Sequence, residues 1–148
     1  MALDPIADPP KFISGVDKIT ALYGGWPRFH DAEVWSLHFD RAPDRNTKSP
    51  TLVARILALH LDRTQTDEKG YFKVIGKYLV TFRFLNIEDL QMTDFNHQNV
   101  LSGIYIDEKD KAIEVNFHGI FGASLVFNCS GVSVDEVIIE PAEPTGTG

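Results

Sequence analysis

The chain has 148 residues and a formal net charge of −7, and 43% of its residues are hydrophobic and 11% aromatic. This length and composition indicate one globular domain with its own core and exclude a disordered, collagen-like or low-complexity chain. No apolar run reaches the roughly 18 residues of a membrane span, the start lacks a secretory signal pattern, and the single cysteine, Cys129, cannot form an internal disulfide or a cysteine-based zinc cage. We therefore expect a cytoplasmic protein that does not bind membranes.

The charge is divided unevenly along the chain. Residues 1–85 carry 12 Lys and Arg against 10 Asp and Glu, whereas residues 86–148 carry 2 against 11. An acidic surface repels phosphate backbones, so we expect no nucleic-acid binding, and the same surface attracts a basic protein partner. The alternative interpretation is that the acidic residues only keep the protein soluble.

The N-terminal segment predicts an extended arm followed by one short helix. Three prolines in residues 1–12 disfavour a helix there and bias the chain toward extended geometry. Ser14 is a suitable N-cap, Asp17 stands at the third helical position, and Gly24 is a typical helix end. We predict the helix near residues 14–23.

After the helix, apolar and polar residues alternate with the period of half-buried strands. In the first such segment Trp35, Leu37 and Phe39 share one face, and in the longest one Gly76 marks a bulge or break. The charged turn at residues 107–111 joins the two strands of a hairpin. The predicted strands are residues 33–40, 52–63, 71–86, 87–95, 104–106, 113–117, 125–129 and 132–139.

These strands predict a mainly β protein, a β-rich α+β fold in which residues 13–140 form one domain. Because the connections are too short for crossover helices, we expect a single antiparallel sheet, arranged as a sandwich or a partly open barrel, with one short N-terminal helix. Residues 71–86 are apolar on both faces and are expected to form a central strand. Residues 1–12 are the extended arm, and residues 141–148 are expected to be a disordered tail. The pattern fixes neither the strand order nor the oligomeric state.

The densest group of polar residues lies in a bend at residues 24–34. Trp26 and Phe29 are expected to anchor this bend in the core. His30, Asp31 and Glu33 would then be held in defined positions as the first long strand begins.

One hypothesis makes the chain a small metal-dependent hydrolase or a ligand-binding β domain that uses His30, Asp31 and Glu33 with one further histidine. Neighbouring residues of a strand point to opposite faces, so His30 and Asp31 are poorly placed to bind one ion. His38 and His60 fall on polar strand faces, where a solvated sheet surface is the simpler interpretation. The histidines considered as the further ligand are His38, His60, His97 and His118.

A second hypothesis gives the bend a structural role. The Asp31 carboxylate would accept hydrogen bonds from backbone amides of the turn, and His30 would satisfy a buried carbonyl. No serine stands in a nucleophile elbow, no glycine-rich segment has a phosphate-binding pattern, and Cys129 lies in an apolar alternation typical of a core. Under this second hypothesis the chain has no catalytic side chain, no metal and no cofactor, and the metal-dependent hydrolase stays the alternative.

Residues 26–34, Trp-Pro-Arg-Phe-His-Asp-Ala-Glu-Val, resemble a motif of the immunity protein 50 family of bacterial polymorphic toxin systems, whose members tend to begin with Trp-x-x-Phe-His-Asp-[Ala/Ser]-x-[Val/Ile]. Residues 80–90 and 95–101 are similar to that family's strand and the Asn/Gln-bearing segment after it. The hairpin and strand at residues 112–129 follow in a compatible order, so the resemblance spans residues 20–139.

The resemblance implies a non-enzymatic protein that binds and silences a cognate toxin encoded beside it. Charge complementarity would then bring an acidic face to a basic toxin. The candidate contacts are six carboxylates of the acidic half: Glu88, Asp89, Asp94, Asp107, Glu108 and Asp110. The alternative for each carboxylate is a solvated turn or strand edge. His30 and Asp31 are assigned to the scaffold first and to toxin contact second.

Overall fold

The computed structural model of the chain describes residues 6–42 and 49–140. In these ranges the backbone forms one helix and eleven strands. In chain order they are β1 (Ile6–Ala7), β2 (Ile13–Ser14), α1 (Asp17–Tyr23), β3 (Trp26–Pro27), β4 (Glu33–Asp40), β5 (Thr51–Thr66), β6 (Phe72–Leu85), β7 (Glu88–Thr93), β8 (Val100–Lys109), β9 (Ala112–Phe121), β10 (Ser124–Cys129) and β11 (Gly131–Ile139). The predicted tail, residues 141–148, lies outside the described residues. Within the described ranges, no helix combines the length and apolar character needed to cross a bilayer.

Nine of the strands form one sheet, in the order β2-β11-β6-β5-β4-β8-β9-β10-β7, and β1 pairs with β3 in a separate two-stranded sheet. Among the described residues the two end strands of the large sheet, β2 and β7, do not pair with each other, so it is not closed into a barrel. This arrangement confirms a mostly β, single-domain fold with a short N-terminal helix.

One pairing departs from the expected antiparallel sheet, because β2 runs parallel to β11. These two strands are neighbours in the sheet but lie near opposite ends of the sequence, so no short connection between them constrains their relative direction. The large sheet is therefore mixed.

The large sheet folds back on itself. β4 pairs with β8 through Glu33 and Val100. The ring of Phe84, on β6, lies 5.8 Å from that of Phe117, on β9, and 5.0 Å from that of Phe127, on β10. In a flat sheet these strands would be about 20 Å apart, because neighbouring strands are separated by roughly 4.8 Å. The sheet thus forms two facing layers with the core between them: the first layer is β2, β11, β6, β5 and β4, and the second layer is β8, β9, β10 and β7.

β6 lies between β5 and β11 in the first layer and is the central strand that its sequence predicts. The pairing of β5 with β6 shifts register beside Gly76, which confirms the predicted bulge. A Cβ atom at Gly76 would collide with the phenol of Tyr78, so glycine leaves the space that this ring occupies. The inner face of β6 carries four buried side chains: Tyr78, Val80, Phe82 and Phe84.

β4 buries fewer of its apolar residues than its alternation predicts. Leu37 packs against the core, but the side chains of Trp35 and Phe39 are 57% and 40% exposed. A register shift between Val34 and Ser36 inserts Trp35 as an extra residue opposite β5, which leaves its side chain outside the regular alternation. Phe39 lies near the far end of β4, beyond the position where this strand meets the second layer.

α1 begins at Asp17, later than predicted. Ser14 lies in β2 beside Ser133 of β11 and is not the cap, and Val16, before the first turn, makes no side-chain cap. The predicted end is confirmed, because Gly24 adopts a left-handed φ of 79° and donates its backbone N–H to the carbonyl of Thr20 at 2.8 Å.

Cys129 is a core thiol, as its position in an apolar alternation predicts. It is buried on β10 together with Leu125 and Phe127. Burial raises the pKa of the Cys129 thiol to about 11, because the thiolate would lose its hydration in this apolar environment. The thiol therefore stays protonated at neutral pH.

Candidate functional site

The bend at residues 24–34 is anchored by two buried aromatic side chains. The rings of Trp26 and Phe29 meet edge to face with centroids 5.7 Å apart. Each also contacts the ring of Phe82 on β6, at 6.3 and 5.7 Å respectively. The sequence therefore places these two residues correctly, and they fix the bend against the first layer.

His30 and Asp31 lie on the surface of this bend. The Nδ1 atom of His30 lies 3.1 Å from Oδ2 of Asp31, and both side chains are roughly half exposed. The backbone amides of this bend donate hydrogen bonds to backbone carbonyls. The Asp31 N–H donates to the carbonyl of Leu101 at 2.9 Å, and the Ala32 N–H donates to the carbonyl of Phe29 at 3.2 Å. The expected hydrogen bonds from turn amides to the Asp31 carboxylate are thus absent among the described residues. Positive φ angles at Phe29 and Asp31 mark the sharp turn of the backbone in this bend.

The ligand set of the metal-site hypothesis is not assembled in the described part of the chain, where no three His, Cys, Asp or Glu side chains come together to hold an ion. Glu33 begins β4 and pairs with Leu57 and Val100 instead.

The histidines are spread over both layers. His38 is exposed on β4, His97 is exposed before β8, and the Nδ1 atom of His118 on β9 lies 2.6 Å from the Ser102 hydroxyl.

His60 is buried, contrary to the expected solvated face. It is 7% exposed, and its ring centroid lies 4.6 Å from that of Tyr23 in α1. On β5 it continues the inward-facing set of Ile56 and Ala58, so the alternation that predicts the strand also directs this ring to the core. The sheet registers show that His38 and His60 are not neighbours, because His38 pairs with Val53.

Four residues in register cross the second layer from β8 to β7: Asp107, Glu114, Asn128 and Glu88. Paired residues of neighbouring strands share a face, so these side chains lie together on the outer face of the second layer. Asp89 joins them, because its carboxylate accepts a hydrogen bond from the Asn128 side-chain amide at 3.5 Å. We call Glu88, Asp89, Asp107 and Glu114 the acidic row.

The sequence names three of the four acidic-row residues and misses Glu114. The signal that could have found it is the register of the predicted hairpin, since Ile106 opposite Val115 places Asp107 opposite Glu114. Glu114 also forms an ion pair with Lys109, at 3.0 Å.

The other three predicted carboxylates lie elsewhere. Glu108 alternates to the opposite face of β8, and Asp110, with a φ of 53°, forms the hairpin turn. Asp94 follows the far end of β7, about 20 Å along the strand from Glu88 at roughly 3.3 Å per residue. The six predicted residues therefore do not form one face.

Next to the acidic row, a second set of registered residues carries exposed apolar groups. It runs from β8 to β7 through Tyr105, Asn116, Val126 and Gln91. The side chains of Tyr105 and Val126 are 48% and 38% exposed. The outer face of the second layer therefore carries exposed apolar side chains beside the carboxylates of the acidic row.

A comparison with protein families identifies the chain. The family model described as immunity protein 50 matches residues 15–139, which is most of the sequence. The chain belongs to the immunity protein 50 family. This result confirms the resemblance carried by residues 26–34. No curated protein and no solved structure matched the chain.

The match to the immunity protein 50 family covers both layers of the sheet except β2. It begins one residue after β2 and ends with Ile139, the last residue of β11, so it contains the bend, α1 and every strand of the second layer. The acidic row and its apolar neighbours lie within the matched residues. β1, which pairs with β3, lies before them.

Proposed function

We propose that this member of the immunity protein 50 family is a cytoplasmic, non-enzymatic protein that neutralises a cognate toxin by binding it directly. Membership of an immunity protein family supports the toxin as partner. The toxin-binding surface we propose is the outer face of the second layer, and the toxin surface it takes is basic.

The observation that carries this proposal is the acidic row. Its carboxylates come from β7, β8 and β9 but lie on one exposed face. Residues 88–129, which hold the whole second layer, contain seven Asp and Glu against two Lys. Such a face attracts a basic protein over distances up to the Debye length, speeds its association and disfavours wrongly charged partners.

The test uses the toxin domain encoded next to this chain. We expect purified wild-type chain to bind it and to restore growth of cells that express it. Replacing Glu88→Lys and Asp107→Lys together should lower the association rate constant about tenfold or more at low salt and flatten its salt dependence, because long-range attraction is lost. Stopped-flow fluorescence at several salt concentrations measures both effects.

The matched control is the double change Glu68→Lys and Glu136→Lys, which alters the net charge equally. Glu68 lies in the β5–β6 turn and Glu136 on the exposed part of β11, both outside the second layer. The association rate constant of this control, corrected for the change in net charge, should be at least half of the wild-type value. Absence of any binding by the wild type would contradict the toxin as partner, and equal losses in both double variants would contradict the acidic row as the binding surface.

A further inference from the structure

β7 is a free edge of the large sheet. Among the described residues it pairs with β10 alone, and all six of its residues are exposed. The strand at the other end of the sheet, β2, has two residues. An end strand presents backbone N–H and C=O groups that no neighbour satisfies, and such groups can pair with a strand of another protein. We call the side of β7 that faces away from β10 the open edge.

The alternation of hydrogen bonds shows which residues of β7 face the open edge. In an antiparallel sheet, successive residues of a strand bond to the neighbour on one side and then to the neighbour on the other. Ile104 donates its N–H to the carbonyl of Arg28 in the bend, on the side of β8 away from β9. The pairs that exchange hydrogen bonds across the second layer are therefore Tyr105 with Asn116, Phe117 with Leu125, and Val126 with Gln91. Leu90 and Met92, on either side of Gln91, direct their N–H and C=O groups to the open edge.

Apolar side chains accompany these backbone groups. Leu90 and Met92 are 40% and 44% exposed. Because Met92 pairs with the buried Leu125, both side chains lie on the inner face of the second layer, at its margin. Among the described residues, no turn, loop or side-chain group forms a hydrogen bond with the backbone of Leu90 or Met92. The open edge thus offers unpaired hydrogen-bonding groups beside two apolar side chains.

Carboxylates stand at both ends of the open edge. Glu88 and Asp89 begin β7, and Asp94 follows it. Residues 86–108 contain no lysine or arginine, and among the described residues none of the three carboxylates forms an ion pair. Glu88 and Asp89 also belong to the acidic row, so the open edge continues the surface proposed to bind the toxin. An extended segment with lysine or arginine near both ends and apolar residues between them complements this edge.

We infer that β7 pairs through its open edge with an extended segment of the toxin, which becomes a tenth strand of the large sheet. This inference rests on the proposed function. The backbone of Leu90 and Met92 supplies the hydrogen bonds, their side chains contact the apolar residues of the segment, and the carboxylates at both ends select its basic residues. A second copy of this chain is a poorer occupant, because it would bring the carboxylates of two open edges together.

The first test removes one backbone donor of the open edge. Met92→Pro lacks the outward N–H but leaves the hydrogen bonds to β10 in place, since proline is tolerated where the N–H of an edge strand faces solvent. This variant should bind the toxin domain encoded next to the chain about tenfold or more weakly than wild type, as measured by calorimetry. Met92→Leu keeps the N–H and should bind within about threefold of wild type.

Ile139→Pro is the matched proline control. The Glu140 N–H donates to the carbonyl of Lys77 on β6, so the N–H of Ile139 points away from β6 and its loss removes no bond to that strand. β11 belongs to the first layer, and this variant should bind the toxin like wild type. Circular dichroism melting checks that each variant keeps the fold. Equal losses of toxin binding in the two proline variants would overturn β7 as the pairing strand.

A second pair of variants tests the charge of the occupant. Asp94→Lys should weaken toxin binding about fivefold or more, because it places a cation beside the basic end of the toxin segment. Asp110→Lys makes the same change of charge in the β8–β9 turn and should bind within about twofold of wild type. Equal binding by the two variants would overturn a basic segment as the occupant. A wild-type dimer in sedimentation that Met92→Pro separates would replace the toxin by a second copy.

Amide hydrogen exchange followed by NMR tests the open edge with and without the toxin. In the free chain, the amides of Leu90 and Met92 should exchange about tenfold or more faster than that of Gln91, and toxin should slow both about tenfold or more. Equal rates for the three amides in the free chain would overturn the assignment of the open edge. Unchanged exchange at Leu90 and Met92 in the complex would overturn the inference and leave the proposed function standing, whereas a wild-type chain that binds no toxin would overturn both.

Discussion

Asn99 is the buried side chain that holds three segments together. It is 3% exposed, and its Oδ1 accepts the backbone N–H groups of Asn96 at 2.9 Å and Ala123 at 3.0 Å. Its Nδ2 donates to the carbonyls of Asn96, at 2.6 Å, and Val34, at 3.4 Å. These bonds tie the loop before β8 to β4 and to the β9–β10 turn. A buried amide with all of these partners satisfied stabilises one arrangement of the chain.

Asn99→Ala is expected to lower the free energy of unfolding by about 2–3 kcal/mol, because it leaves buried backbone groups without partners. Urea denaturation followed by fluorescence measures the loss. Asn116→Ala, on the partly exposed outer face of β9, is the control and should cost less than about 0.5 kcal/mol. Similar losses in the two variants would show that the Asn99 bonds contribute little.

At the scale of elements, the β9–β10 turn depends on close contact with the loop before β8. Gly122 has a φ of 75°, and a Cβ atom there would lie 2.5 Å from Asn99 Oδ1 and 2.5 Å from the Gln98 carbonyl oxygen. Two constraints therefore act on one residue: a left-handed backbone and a lack of space. Gly24, at the end of α1, has a φ of 79° but no atom within 4 Å of such a Cβ. Gly24 is therefore constrained by its left-handed backbone but not by a lack of space.

A comparison of alanine substitutions at Gly24 and Gly122 separates the cost of backbone strain from the cost of steric contact. Gly24→Ala should cost about 1–2 kcal/mol for the left-handed conformation alone. Gly122→Ala should cost at least about 1 kcal/mol more, because the turn must move away from Asn99 and Gln98. Differential scanning calorimetry of the two variants tests this difference, and equal melting temperatures would show that the turn relaxes freely.

At the scale of the whole molecule, stability depends on carboxylates that accept hydrogen bonds from residues of their own strand or of a neighbouring strand. The hydroxyl of Thr64, 2.6 Å from Asp62 Oδ1, and the backbone N–H of Thr64 lower the pKa of the Asp62 carboxyl. Burial alone would raise the pKa of Asp135, but hydrogen bonds from Ser133 and Arg83 outweigh it and lower that pKa. Both groups favour the folded state in their charged form.

A folded-state pKa below the unfolded value of about 3.9 gives stability that is present at neutral pH and is lost as the pH falls through the unfolded and then the folded pKa. We therefore expect Asp62→Asn and Asp135→Asn to reduce stability at pH 7 and to flatten its fall below about pH 4. The midpoints of urea denaturation, measured from pH 7 to pH 2.5, give the pH dependence of stability for each variant. Asp107→Asn is the control, and a wild-type acid slope retained in both test variants would contradict the linkage.

Local pattern accounts for most of the fold. Alternation of period two and the charged hairpin turn are properties of short segments, so they predict the strands, the central position of β6 and the hairpin of β8 and β9 without knowledge of the remaining chain. The motif at residues 26–34 likewise predicts the family, because its aromatic anchors and bend are contiguous.

The sequence by itself determined the mostly β class, the core thiol of Cys129 and the family; only the tertiary structure decided which face each strand buries and which charges meet. A bulge exposes Trp35, and packing against α1 buries His60. The acidic row depends on the pairing of β10 with β7, strands about 30 residues apart in the chain. Alternation defines two faces of a strand but not which of them is inside, because that depends on how the sheet folds back and on the order of its strands.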